Sequence, residues 1–423
     1  MVSDSIQSRV YAGAHLLAIL AAGFWCFLNF LTAEDAVVLF NRFNFLTDAP
    51  VFFYYAGYSS AFPQLTAFLL SSLNPAAQAV LYSLVALGVF LLLLREVFLA
   101  TRSGLLVLLL TAVCAVFHPF VIYNLTFSFW PGLAILGLVG LRAHVSRRAL
   151  RARDILICLP GLAGSPLAIA FLPSFAWAAF RTRSPYAVLL SLATLASFVA
   201  LTEHGGTRAE GGGLLSSFVA NAGLALQAPL QYLVNAGSPG DLAISVLGAV
   251  SLPVIIVAGV WALFSRKAAG VPVALYALGA VLVVFAAFAA TSVPLAGRYW
   301  FPAVVSAIVL VGLMAPLPAR SQAGKVVASA LAGLLCVAVL ASFWARAERW
   351  GAAATGLQEW RLLADAGQAP TAIIRHWHGD SGLWAVGAGR GALPYADCAG
   401  LTEHPESVAQ FGFRIHCGRA VFR

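Results

Sequence analysis

Residues 11–35 read YAGAHLLAILAAGFWCFLNFLTAED. From Tyr11 to Leu31 there is no Asp, Glu, Lys or Arg. About 20 such residues, wound as a helix, cross the roughly 30 Å hydrocarbon core of a bilayer. Nothing after the run resembles a small-residue cleavage site, so the expectation is a retained span and not a cleaved leader. The run ends on two adjacent acids, Glu34 and Asp35, in a chain whose Asp, Glu, Lys and Arg together make up only 10% of residues. An acidic pair at a membrane boundary is costly unless it is solvated, paired or used.

The rest of the chain repeats the first run. Hydrophobic residues are 61% of the total and the mean hydropathy is +0.89, against about 45–50% apolar in a soluble domain. Apolar segments recur near 11–32, 76–97, 104–123, 127–142, 185–202, 242–264, 270–292, 299–316 and 326–345. Period-two alternation is absent, which excludes the pattern of a membrane β-barrel. The expected fold is therefore an all-α polytopic membrane protein. Between the fourth and fifth segments, 155–180 is apolar but carries Pro160, Gly161, Gly164, Pro166 and Pro173. Such breakers favour two short helices in a hairpin with both ends on one side. Counting its legs gives about eleven crossings. The apolar, uncharged segment 214–236 reads as interfacial or re-entrant.

The net charge of +9 comes mostly from arginine, with lysine only at 267 and 325. It sorts by side and does not form a nucleic-acid surface. With the N-terminus inside, the inner loops hold Arg9, Arg95, Arg102, Arg142, Arg147, Arg148, Arg151, Arg153, Arg181, Arg183, Arg266, Lys267, Arg320 and Lys325. The outer loops hold Arg42, Arg208 and Arg298. That bias predicts a cytoplasmic N-terminus. Residues 1–346 then form the transmembrane domain, with an outside loop at 33–75. Residues 347–423 form a small α+β extracytoplasmic tail. In that tail Cys398 and Cys417 are candidates for a disulfide in an oxidising compartment. The other cysteines lie in apolar runs and read as packing residues.

Chemistry must come from the few polar residues on the outer side. Glu34 and Asp35 either end a helix or act as a base. Asp48, before Ala-Pro, reads as a turn or cap, and also as a third candidate acid. Arg42 lies between them, and Arg298 opens a late span beside Tyr299 and Trp300. An arginine fork suits a lipid-linked phosphate. His118 and Asn124, in FHPFVIYNLTFSFWPG, fall at an outside turn and could line a sugar site or simply cap it. His376 and His378 lie two apart in the tail, but no full ligand set is spelled out, so a divalent metal lacks support. No phosphate-cradling glycine loop is present in a strand-to-helix context.

On three features the chain resembles the GT-C superfamily of integral membrane glycosyltransferases. They are Glu34-Asp35 at the exit of the first span, the broken stretch Leu159-Pro160-Gly161 … Ser165-Pro166 … Leu172-Pro173 before Arg181, and Gly297-Arg298-Tyr299 opening a late span before the tail. The resemblance implies a polyprenyl-phosphate-linked sugar donor and a glycan or glycolipid acceptor of the cell envelope. It also implies transfer on the outer face, with membrane lipid as a partner, no nucleic acid and no certain cofactor. It makes Asp35, Glu34 or Asp48 the base, and Arg298, Tyr299 and Arg42 the phosphate-binding set. High Ala, Gly and Arg content puts the expected location in a bacterial inner membrane. An O-antigen or exopolysaccharide polymerase or ligase stays open, as does a transporter or non-catalytic assembly protein. Short late loops count against the polymerase or ligase. The lack of evident mid-membrane charge counts against the transporter.

Overall fold

The computed structural model describes residues 2–28, 35–40, 43, 50–53, 59–145, 149–202, 239–265, 270–290, 297–314, 330, 333–337, 339–341, 372–377 and 382–387. Among them, the architecture is a helical bundle. Helices α1 (Val2–Leu28), α2 (Ala61–Leu70), α3 (Pro75–Thr101), α4 (Gly104–Phe117), α5 (Phe120–Tyr123) and α6 (Phe129–Val145) form its first half. Helices α7 (Ala152–Leu162), α8 (Leu172–Thr182), α9 (Pro185–Leu201), α10 (Pro239–Phe264), α11 (Gly270–Ala290) and α12 (Phe301–Met314) follow. In the tail, β1 (Ala372–Trp377) pairs antiparallel with β2 (Gly382–Gly387), with Arg375 opposite Trp384.

Five helices are long and apolar enough to cross a membrane among the described residues, within Gln7–Cys26, Ala77–Thr101, Thr126–Ala143, Val246–Phe264 and Gly270–Ala287. Large apolar side chains remain exposed along them, such as Leu20, Leu84, Val257 and Leu278. In water these would be liabilities, whereas in lipid they are the solvent-facing surface. The chain is thus a helical membrane protein.

One break departs from the sequence expectation, and a second lies in the segment read as a hairpin of two short helices. The segment 104–123 is not one helix. Pro119 disfavours helical backbone at the residue before it, and His118 leaves the helix at φ −132° and ψ 49°. The chain then turns through α5 and a 3-10 turn (Thr126–Ser128) before α6. In the other segment, Pro160 lies inside α7, and the helix stops later, at Ala163. Ser165 is extended, its hydroxyl accepts from Leu167 N at 3.3 Å, and Pro166 opens a 3-10 turn (Pro166–Phe171) leading into α8. The Ser184 hydroxyl donates to the Leu150 carbonyl at 3.4 Å, so the two ends of this α7–α8 hairpin meet.

Close backbone approach seats the hairpin. A Cβ on Gly132 of α6 would lie 2.5 Å from Gly161 N and 2.7 Å from the Pro160 carbonyl carbon. Small residues of this kind allow helices to pack closely in lipid, where hydrophobic expulsion is absent. Ion pairs close the end of the bundle that holds the N-terminus. Arg142 reaches from α6 to both Glu96 of α3 (Nε–Oε2 3.0 Å) and Asp154 of α7 (2.8 Å), and Arg95 bonds the other Glu96 oxygen at 2.7 Å. The Arg142 Nε contact is an ion pair outside hydrogen-bond geometry. Glu96 and Asp154 are buried, and the second Asp154 oxygen accepts from Arg151 N at 2.8 Å.

Three stability outcomes follow in detergent, read by thermal unfolding. Gly132→Ala meets rigid backbone and should lose about 1–3 kcal/mol. Gly13→Ala, with nothing near its added methyl, should be neutral or stabilising by about 0.5–1 kcal/mol. Arg142→Met leaves Glu96 with Arg95 alone and Asp154 with the Arg151 N–H alone, and should cost about 3–5 kcal/mol. An Arg142→Met protein as stable as the parent would show that the ion pairs do not hold the three helices together.

Candidate active site

At the opposite end of the bundle, the chain leaving α1 returns as a short π-helical turn (Asp35–Phe40). Its first residue is 4% exposed. The Asp35 carboxylate accepts from Leu125 N at 2.7 Å through Oδ2. Through Oδ1 it accepts from Thr126 N at 2.7 Å and the Thr126 hydroxyl at 2.6 Å. These donors open the 3-10 turn before α6, where backbone N–H groups have no partner within their own helix. Asp35 therefore caps a helix from across the bundle. Asn124 does the same locally, its Oδ1 accepting from Phe127 N at 3.1 Å, and the Ser128 hydroxyl donates to the Leu125 carbonyl at 2.6 Å. Tyr82 of α3 and Cys26 of α1 lie within electrostatic range of Asp35.

His118 precedes this turn. It is buried, its ring meets Phe301 edge-on at 6.0 Å between centroids, and its Nε2 has no hydrogen-bond partner among the described residues. Tyr299 packs edge-on against Trp130, 5.8 Å between centroids. A Cβ on Gly248 would strike the Trp300 ring, so this glycine is what admits the indole. The 3-10 turn Gly297–Trp300 is thereby brought beside the start of α6, and it carries the Arg298 backbone.

The segment between α1 and α2 docks on the same end. Ser59 N donates to the Leu201 carbonyl at 2.8 Å, the Ser60 hydroxyl to Gly164 O at 2.6 Å, and Phe62 N to Ala163 O at 2.8 Å. Gln64 folds the loop on itself, donating to Phe53 O at 2.8 Å and accepting from the Ser59 hydroxyl at 3.0 Å.

The structure thus brings Asp35, His118, Asn124 and Tyr299 to one end of the bundle. Glu34, Arg42, Asp48, Cys398 and Cys417 lie outside the described residues. Thr126 and Tyr82 escaped the sequence reading. Asn124-Leu-Thr126 matches a glycosylation sequon in sequence, and in the structure the same residues form the cap of a turn. Among the described residues, no three His, Cys, Asp or Glu side chains come together to hold a metal ion. No family model matches the chain, and neither a curated protein nor a solved structure does.

Removing the Thr126 hydroxyl deletes one bond to a charged oxygen and keeps the backbone donors. Thr126→Val should cost about 1.5–3 kcal/mol. Asp35→Asn turns an NH2 toward backbone donors that need an acceptor, and should cost more than Thr126→Val. Urea or thermal unfolding of both variants checks the order; the reverse order would remove Asp35 as the cap of this turn.

Proposed function

We propose that this protein is an integral membrane glycosyltransferase similar to the GT-C type. It moves a sugar from a polyprenyl-phosphate donor to a cell-envelope glycan or glycolipid on the outer face of a bacterial inner membrane. In this proposal the chain crosses about eleven times, with a cytoplasmic N-terminus and an extracytoplasmic tail. One observation carries it: the acid at the exit of the first span is buried and tied to the turn holding Asn124 and Thr126, beside His118 and the Tyr299 segment. A carboxylate in this setting is expensive, and in this proposal it holds the turn beside which the neighbouring acid serves as the base.

The chemistry asks for a base and a counter-charge. A carboxylate takes the proton of the acceptor hydroxyl, and the oxygen forms a bond to the anomeric carbon. The polyprenyl phosphate departs with the electrons of the broken C–O bond. Asp35 has three short contacts already made, which suits it to anchor. Glu34 is then the leading candidate base, with Asp48 the alternative, and Arg298 and Arg42 are the candidates to meet the phosphate.

The transporter alternative gains one observation, because Glu96 is fully buried within a span and paired to Arg142. The deciding experiment incubates purified protein with a panel of polyprenyl-phosphate sugars and follows loss of the donor lipid. Turnover is expected with at least one donor. Glu34→Gln should lower it about 10²–10⁴-fold at unchanged melting temperature. No consumption across the panel would sink the proposal, and full activity in Glu34→Gln would move the base to Asp48.

A further inference from the structure

We propose that the α7–α8 hairpin carries a binding site for the anionic headgroup of a phospholipid, formed by Arg151, Arg153, Arg181 and Arg183. This goes beyond the catalytic proposal and does not depend on it, since the site lies at the opposite end of the bundle. The Ser184–Leu150 hydrogen bond draws the loop before α7 and the loop after α8 together, and with them the four arginines. All four are exposed.

The charge is not compensated within the described side chains of this end. Its acids there are Glu96 and Asp154, and both are taken. Glu96 is held by Arg95 and Arg142, and Asp154 by Arg142 and by the backbone of Arg151. Two acids cancel Arg95 and Arg142, and the four hairpin arginines stand over as net positive charge. Arg142, Arg151, Arg153 and Asp154 line a small cleft with Ala149 and Leu150.

The surface next to the arginines is apolar. Leu156 is 66% exposed and Phe180 74%. The Arg181 guanidinium lies over the Trp177 ring, 6.0 Å from its centroid. Basic groups above exposed Leu and Phe, with a tryptophan between, match a lipid with an anionic head and acyl tails. A soluble acidic partner would leave Leu156 and Phe180 without cover.

Two arginines of the described residues, Arg102 and Arg183, take left-handed backbone, and one of them belongs to this site. Arg183 sits at φ 51°, the left-handed cap of α8, its N–H donating to the Ala179 carbonyl at 2.9 Å. Glycine takes this conformation without steric cost and arginine does not. The side chain is there in spite of the backbone.

The experiment uses the full chain in a neutral detergent. Fluorescent phosphatidylglycerol and phosphatidylcholine with identical acyl chains serve as probes, and energy transfer from protein tryptophan reports binding. Phosphatidylglycerol should bind at least tenfold more tightly. Each Arg→Gln change at 151, 153, 181 or 183 should weaken it about fivefold, the effect expected of one basic side chain at an anionic surface. Arg183→Gly separates binding from folding: its melting temperature should hold or rise while phosphatidylglycerol binding falls. Equal affinity for the two lipids would overturn the proposal. So would unchanged phosphatidylglycerol binding in the folded quadruple Arg→Gln variant, and so would full displacement of the lipid by inorganic phosphate, which would make the site one for free anions.

Discussion

Hydrocarbon offers no water to a broken helix. Every N–H and C=O released at a break must find a partner within the protein, and each one left alone costs several kcal/mol. This chain breaks its helices at His118–Ser128 and again at Ala163–Phe171, and polar side chains from other segments answer both interruptions. Asp35 and Asn124 take the donors at the first. Ser60, Phe62 N and Ser165 serve the second. The segment leading into α2 is therefore a structural part of the bundle, because it carries the groups that make the second break tolerable.

The two ends of the bundle treat charge in opposite ways. At the Asp35 end, the Asp35 carboxylate is buried against backbone donors, so its field is met by fixed dipoles. At the other end, Arg142 is held between carboxylates from two further helices. That arrangement fixes the relative positions of α3, α6 and α7 in a medium that punishes any unpaired member. Close packing adds to the polar contacts at the Asp35 end, where Gly132 meets Gly161 and the Trp300 ring fills the space at Gly248.

Much of this was legible from hydrophobicity alone, because span-length apolar runs have few other uses. Asp35 stood out for the same reason: charge is scarce, so each acid needs an account. The breaks were harder to place. Pro119 follows a long apolar run, and its effect on His118 depends on one pre-proline residue that a span-length window averages away. Pro160 misleads in the other direction, since a proline tolerated inside α7 looks the same in sequence as one that ends a helix. The Glu96–Arg142–Asp154 group was invisible because its members lie in three separate segments. Arg142 read as a marker of the inner side, and Glu96 as one more residue of its apolar run. Only folding makes them partners.

The pairing of acids at the exit of α1 gains a physical meaning from this contrast. A general base must exchange its partners as it takes up a proton. Asp35 could do so only by releasing Leu125 N and Thr126 N, which would uncap the turn that positions His118 and Asn124. Glu34 lies outside the described residues and is joined to Asp35 by one peptide bond. On the glycosyltransferase proposal, two adjacent acids divide two incompatible tasks: Asp35 holds the turn, and Glu34 takes the proton of the acceptor hydroxyl.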